Sequence, residues 1–230
     1  MPTVCVEVGI VLPRILQNSW LRPAILVKYS MELNPVTVTA YHGSGRLFKR
    51  FEQRYARILN DYMGGGIAYF TTDLDVAKTY AKSMAKTVGS GTEYIYTVRL
   101  TLQNVFDVNQ EFSGPELVAL LPNTPDGLDK FARGSGILKY GVDRVKALMD
   151  LRDGKVGMSG ERLFKGISHG GVDTAKARDA LIASGFDALR YNGGANMNMT
   201  TRHDVFIPYD ANDIAIQKIS QIVRKVKQAA

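Results

Sequence analysis

The sequence predicts an α+β fold, on three observations. Two segments, 36–42 and 93–102, alternate apolar or β-branched residues with polar ones at strand period. Apolar residues recur at helical spacing in 46–62. The helices do not strictly alternate with the strands, which disfavours a doubly wound parallel sheet.

Taken in order, Val36–His42 reads as a strand that Gly43-Ser44-Gly45 ends. From Arg46 to Tyr62 the residues Leu47, Phe48, Phe51, Tyr55, Ile58, Leu59 and Tyr62 fit one helix face. Arg50, Arg54 and Arg57 share another face, which reads as solvated, and Gly64-Gly65-Gly66 stops the helix. Ile67–Thr71 is a short strand. Either Thr72 or Asp73 can cap the next helix, which runs to about Lys86. Glu93–Leu102 is a strand. The stretch 105–172 reads as loop-rich, with short helices at 115–121, 125–133 and 140–151. Asp173–Ser184 is an alanine-rich helix stopped by Gly185. Phe186–Tyr191 and His203–Tyr209 are strands around the turn-rich loop 192–201, and 212–217 can form another. The tail 218–228 reads as a short basic helix. Residues 1–35 are an appended N-terminal segment. Residues 36–230 are one domain with a helical and loop insertion around 105–180.

The 230 residues are 45% hydrophobic, which excludes wholesale disorder. A single cysteine, Cys5, excludes an intramolecular disulfide framework and fits a reducing compartment. His42, His169 and His203 are widely spaced, so no metal site is expected. No apolar run reaches the roughly 18–20 residues of a membrane helix, and the N-terminus lacks a basic start. A soluble cytoplasmic protein that does not contact membranes is the expectation. The net charge is +7. Its excess lies in 36–104 and in 214–230, each at +4, while 181–213 carries −2. That balance suits an acidic or phosphate-bearing partner, or plain solubility.

Three segments carry chemistry: Tyr41-His42-Gly43-Ser44-Gly45, Gly66-Ile67-Ala68-Tyr69-Phe70 with Tyr80 eleven residues after Tyr69, and Asp204-Val205-Phe206-Ile207-Pro208-Tyr209-Asp210. His42 is a hydrogen-bonding side chain on a rigid strand. Gly43 exposes backbone donors and acceptors that suit a planar carboxamide. Tyr69 and Tyr80 offer aromatic faces. Asp204 puts a carboxylate where positive charge could develop on a sugar. Each segment alone is compatible with core packing or turn chemistry; their order and spacing together are what is specific.

In that order and spacing, over about 36–217, the chain resembles the ADP-ribosyltransferase fold. The likeness is to the branch of poly(ADP-ribose) polymerases and diphtheria toxin, and to phage-encoded and toxin-type members. The middle, 105–180, is unmatched. The resemblance implies two small packed antiparallel or mixed β-sheets flanked by helices, and NAD+ as co-substrate without a metal. It implies that His42 bonds the adenosine-side ribose and that the Gly43 backbone holds the nicotinamide carboxamide. Tyr69 and Tyr80 would sandwich the nicotinamide ring. Asp204 would bond the 2′-hydroxyl of the nicotinamide ribose and stabilise an oxocarbenium-like transition state. Asp204, His42 and Tyr69 are thus the expected catalytic residues; His42, Gly43, Ser44, Arg46, Tyr69 and Tyr80 are the expected NAD+ contacts. Arg46, then Arg50, are the candidates for the pyrophosphate.

Two departures stand out. Asp204 replaces the usual Glu and is one methylene shorter. Ala77 replaces the Ser that bonds the carboxamide in polymerase-like members. Asp210 falls where the family has a structural Asp, and His203 alternates to the strand face opposite Asp204. The implied activity is mono-ADP-ribosylation of a macromolecular acceptor. A protein, acidic or nucleic-acid-associated, is favoured, and nucleic acid comes second. The alternatives are an NAD+ glycohydrolase and a non-catalytic binding or inhibitor module on the same fold.

Overall fold

The longest unbroken ladder joins β1 (Val36–Ser44) to β3 (Thr92–Leu102), antiparallel and in register from Val36↔Leu102 to Ser44↔Tyr94. The coordinates are a computed structural model that describes residues 35–52, 66–122, 125–138, 142–194 and 202–223. These residues belong to one compact unit within Met31–Ala230. The expected N-terminal segment 1–35 lies almost wholly outside them, as do residues 53–65, with Arg54 and Arg57, and residues 195–201 of the expected loop.

Between β1 and β3 come β2 (Phe70–Thr71) and helix α1 (Leu74–Thr87). Asp73, and not Thr72, caps α1: its side chain accepts from Asp75 N–H at 2.8 Å and Val76 N–H at 3.1 Å. Then follow β4 (Val105–Asp107), β5 (Glu111–Phe112), α2 (Gly114–Leu120), α3 (Pro125–Gly134) and α4 (Arg144–Arg152). The chain continues through β6 (Met158–Ser159), α5 (Gly160–Ile167), α6 (Thr174–Ala183), β7 (Ala188–Gly193), β8 (His203–Pro208) and β9 (Ile214–Val223). Asp143, Ser159 and Asp173 cap α4, α5 and α6 with their side chains.

The fold is α+β, with one seven-stranded mixed sheet in the order β4-β7-β8-β2-β1-β3-β9 and a separate β5-β6 ribbon. The two small packed sheets expected from the sequence are therefore hydrogen-bonded into one, but the joint is narrow. β2 pairs β1 at Tyr41↔Thr71 and β8 at Phe70↔Phe206 and Thr71↔Val205. A two-residue strand thus links β9-β3-β1 to β8-β7-β4.

Three expectations fail. Residues 46–52 are not helical, so the predicted helix does not start at Arg46; Phe48 and Phe51 instead pack down as single side chains. Residues 218–223 extend β9 along β3 and are not a basic helix, because β3 offers an unpaired edge as far as Thr92. The region 105–172 is better ordered than a loop-rich reading allows. It adds β4, parallel to β7, as well as β5, β6 and α5.

Two apolar clusters lie on opposite faces of the β7–β8 pair. Leu189 and Ile207 join Phe106, Leu117, Phe131, Leu163, Phe164 and Leu181. Ala188 and Phe206 join Ala40, Phe70, Tyr96, Val98 and Leu100. Successive strand residues point to opposite faces, so β8 feeds both clusters. Among the described residues no helix is long and apolar enough to cross a membrane.

Candidate functional site

The pleat of β1 sorts its site residues. Ala40 and His42 face the second cluster, while Gly43 faces α1. A Cβ on Gly43 would stand 2.0 Å from the Ala77 carbonyl oxygen and 2.6 Å from the Ala81 nitrogen. One on Gly45 would stand 2.6 Å from the Ala85 nitrogen. Ala77, Ala81 and Ala85 recur every four residues and form a buried ridge of small side chains. The two glycines let β1 lie directly on that ridge. Ala77, at the position where the resemblance leads one to expect a serine, is therefore packed under Gly43.

His42 is set among four rings. Phe48, Phe51, Phe70 and Tyr96 have centroids 6.1, 5.3, 5.7 and 6.0 Å from its own. Its Nδ1 lies 2.9 Å from the Tyr69 carbonyl oxygen. A carbonyl only accepts, so Nδ1 carries the hydrogen and Nε2 is an acceptor. Burial pushes the imidazole pKa down; the bond to Tyr69 opposes this more weakly.

Asp204 is held by backbone and side chain. Its N–H donates to Thr72 Oγ1 at 3.2 Å, and its carbonyl accepts from Thr72 N–H at 3.0 Å. Arg190 Nη2 donates to both carboxylate oxygens, at 3.2 and 3.1 Å. Arg190 Nη1 lies 3.5 Å from Asp107 Oδ2. Its guanidinium carbon sits 5.9 Å from the centre of the Phe206 ring. Arg190 Nε is buried without a hydrogen-bond partner among the described residues.

His42 and Asp204 share one face of the sheet. Tyr41↔Thr71 places His42 beside Phe70, and Phe70 pairs with Phe206, two residues along from Asp204. Two strand spacings, about 10 Å, separate β1 from β8 across β2. Tyr69 packs on the opposite face, against the first cluster. Tyr80 is 42% exposed on α1. The sheet therefore brings His42 and Asp204 to one side, and Gly43, Tyr69 and α1 to the other. Tyr69 meets His42 through its carbonyl group.

The remaining predicted residues have local partners. Ser44 Oγ donates to the Arg46 carbonyl at 2.9 Å and accepts from Arg46 N–H at 3.0 Å, closing a turn. The Arg46 side chain is exposed. Arg50 pairs with Glu52 at 2.7 Å and borders a cavity of about 690 Å³ with Lys49, Phe51 and Ile216. Asp210 accepts from Asn212 N–H, as a turn residue does. His203 is buried on the face opposite Asp204, with its ring over Gly193.

Sequence reasoning missed Arg190, Asp107 and Thr72. One signal was available. Arg190 is a lone cation in the strand Phe186–Tyr191, and closing the 192–201 loop as an antiparallel pair brings it diagonally opposite Asp204.

No family model matches the chain, and no curated protein matches it. The chain is similar to a chain in the crystal structure of the M. tuberculosis MbcT–MbcA toxin–antitoxin complex, with 10% identity and a TM-score of 0.42 over 83% of this chain and 87% of that one. It is also similar to an anti-CRISPR protein, with 8% identity and a TM-score of 0.34 over 83% of this chain and 99% of that one.

Proposed function

We propose that the protein is an NAD+-dependent mono-ADP-ribosyltransferase. It moves ADP-ribose to a macromolecular acceptor, a protein in the first place, and releases nicotinamide. The observation that carries this reading is the shared face: the His42 imidazole, with Nε2 as acceptor, and the Asp204 carboxylate stand on one side of the sheet with Phe70 and Phe206 between them. An acceptor nitrogen suits a ribose hydroxyl. A carboxylate suits a sugar that becomes cationic as its glycosidic bond breaks. The groups for the nicotinamide side lie across the sheet from that face: the Gly43 backbone, on the stretch of β1 past the Tyr41↔Thr71 pair where β1 no longer pairs with β2, and the exposed Tyr80 ring on α1, so the dinucleotide would pass along this unpaired edge from one face to the other. With one such carboxylate and no elongation machinery in the sequence, the product is a single ADP-ribose unit.

The test incubates the full chain with labelled NAD+ and a cell lysate, wild type against Asp204→Ala. Wild type should release nicotinamide and label a macromolecule that is sensitive to protease and resistant to nuclease; Asp204→Ala should do neither. Nicotinamide release without labelled macromolecule points to NAD+ hydrolysis. No release from wild type overturns the enzymatic reading and leaves a binding module on this fold.

A further inference from the structure

Arg190 sits at the centre of a chain of polar contacts that crosses three neighbouring strands. On β4, Asp107 Oδ1 accepts from Asn109 N–H at 2.8 Å and Asn109 Nδ2 at 2.9 Å, which fixes that carboxylate. Its other oxygen faces Arg190 on β7, at register Asp107↔Arg190. Arg190 then reaches Asp204 on β8, where the register Asn192↔Asp204 makes the two side chains diagonal neighbours on one face.

An ion pair of two partly exposed groups contributes little to stability. Side-chain exposures of 37% for Arg190 and 32% for Asp204 put this pair in that class. Its geometry is more specific than stability requires. A single nitrogen touches both carboxylate oxygens almost equally, so the carboxylate is held with its two oxygens turned toward Arg190. Each oxygen keeps lone-pair capacity for another donor. The Asp204 backbone is fixed separately by Thr72. A side chain one methylene shorter than Glu has less reach, so it meets the sugar only from the place where its backbone and its neighbours hold it.

Building on the NAD+-cleaving reading above, we infer that Arg190 is the positioning residue of Asp204. Anchored by Asp107, it orients the carboxylate toward the sugar without itself contacting the dinucleotide. Loss of Arg190 then slows turnover and leaves NAD+ binding in place.

The experiment measures steady-state nicotinamide release by the full chain for wild type, Arg190→Gln, Arg190→Lys and Asp107→Asn. Arg190→Gln should lower kcat about a hundredfold, the effect of a misplaced catalytic group, with KM for NAD+ nearly unchanged. Arg190→Lys should recover part of that loss, because an ammonium restores charge without the planar fork. Asp107→Asn should lower kcat about tenfold by freeing the anchor. A wild-type kcat in Arg190→Gln, or a loss confined to KM, overturns the inference. If Arg190→Gln fails to fold by circular dichroism, unchanged kcat in both Arg190→Lys and Asp107→Asn overturns it. Absence of release from wild type removes the enzymatic reading and this inference together; release from wild type with no effect of the variants removes this inference alone.

Discussion

The His42 imidazole and the Tyr69 carbonyl are hydrogen-bonded at 2.9 Å, which ties the end of β1 to the residue entering β2. The bond fixes the tautomer of His42 and joins two segments 27 residues apart. It also orients a ring already enclosed by Phe48, Phe51, Phe70 and Tyr96.

Burial makes that imidazole a source of acid sensitivity. The unfolded chain takes up a proton at His42 near pH 6.5, and the folded chain does so only at lower pH. Stability therefore falls as pH drops below about 6.5. Urea midpoints measured from pH 7.5 to 5 should decline more steeply for wild type than for His42→Asn. Equal slopes would place the proton elsewhere.

Gly43→Ala should destabilise by about 3 kcal/mol or more, because the added methyl meets helix backbone at Ala77 and Ala81 and no side chain can move aside. Gly89→Ala is the control. At φ +66° with nothing within 4 Å, it meets only backbone strain, about 1 kcal/mol. Urea unfolding of both variants checks the contrast, and equal costs would deny the close approach of β1 and α1.

Tyr80→Ala should weaken NAD+ binding by about 1 kcal/mol, roughly fivefold, if its ring faces nicotinamide. The folded chain should keep its stability, since Tyr80 is 42% exposed. Calorimetric titration with NAD+ reads the first effect and thermal melting the second. Unchanged affinity removes Tyr80 from the site.

Asp213 carries the opposite pH signature to His42. Burial first, then the nearby Asp187 and Asp210 charges, push its carboxyl up to about 6. The folded chain thus holds a proton that the unfolded chain has released, and stability falls as pH rises from about 4 to 6. Asp213→Asn should unfold at higher urea than wild type at pH 7.5 and at the same urea at pH 4 or below.

Local chemistry made much of the chain legible. The alternation in 36–42 and 93–102 marks β1 and β3, since each buries one face of its strand. Asp73 and Asp173, placed before periodic runs, mark the starts of α1 and α6. Residues 46–52 carried the same helical periodicity but are irregular. There Phe48 and Phe51 gain more by closing over His42, and the Tyr96 hydroxyl accepts from Phe48 N–H at 2.7 Å.

The amino-acid order by itself supplied the resemblance on which the proposed function rests, carried by His42, Gly43, Tyr69, Tyr80 and Asp204. Which of them share a face was decided only in three dimensions. Pleat and register send His42 and Asp204 to one side of the sheet and Gly43 and Tyr69 to the other. The same register brings Arg190 to Asp204, and the parallel β4–β7 pair brings Asp107 to Arg190. A side-chain period of two means that a one-residue shift would break each of these contacts, and no local property of either strand specifies the pairing.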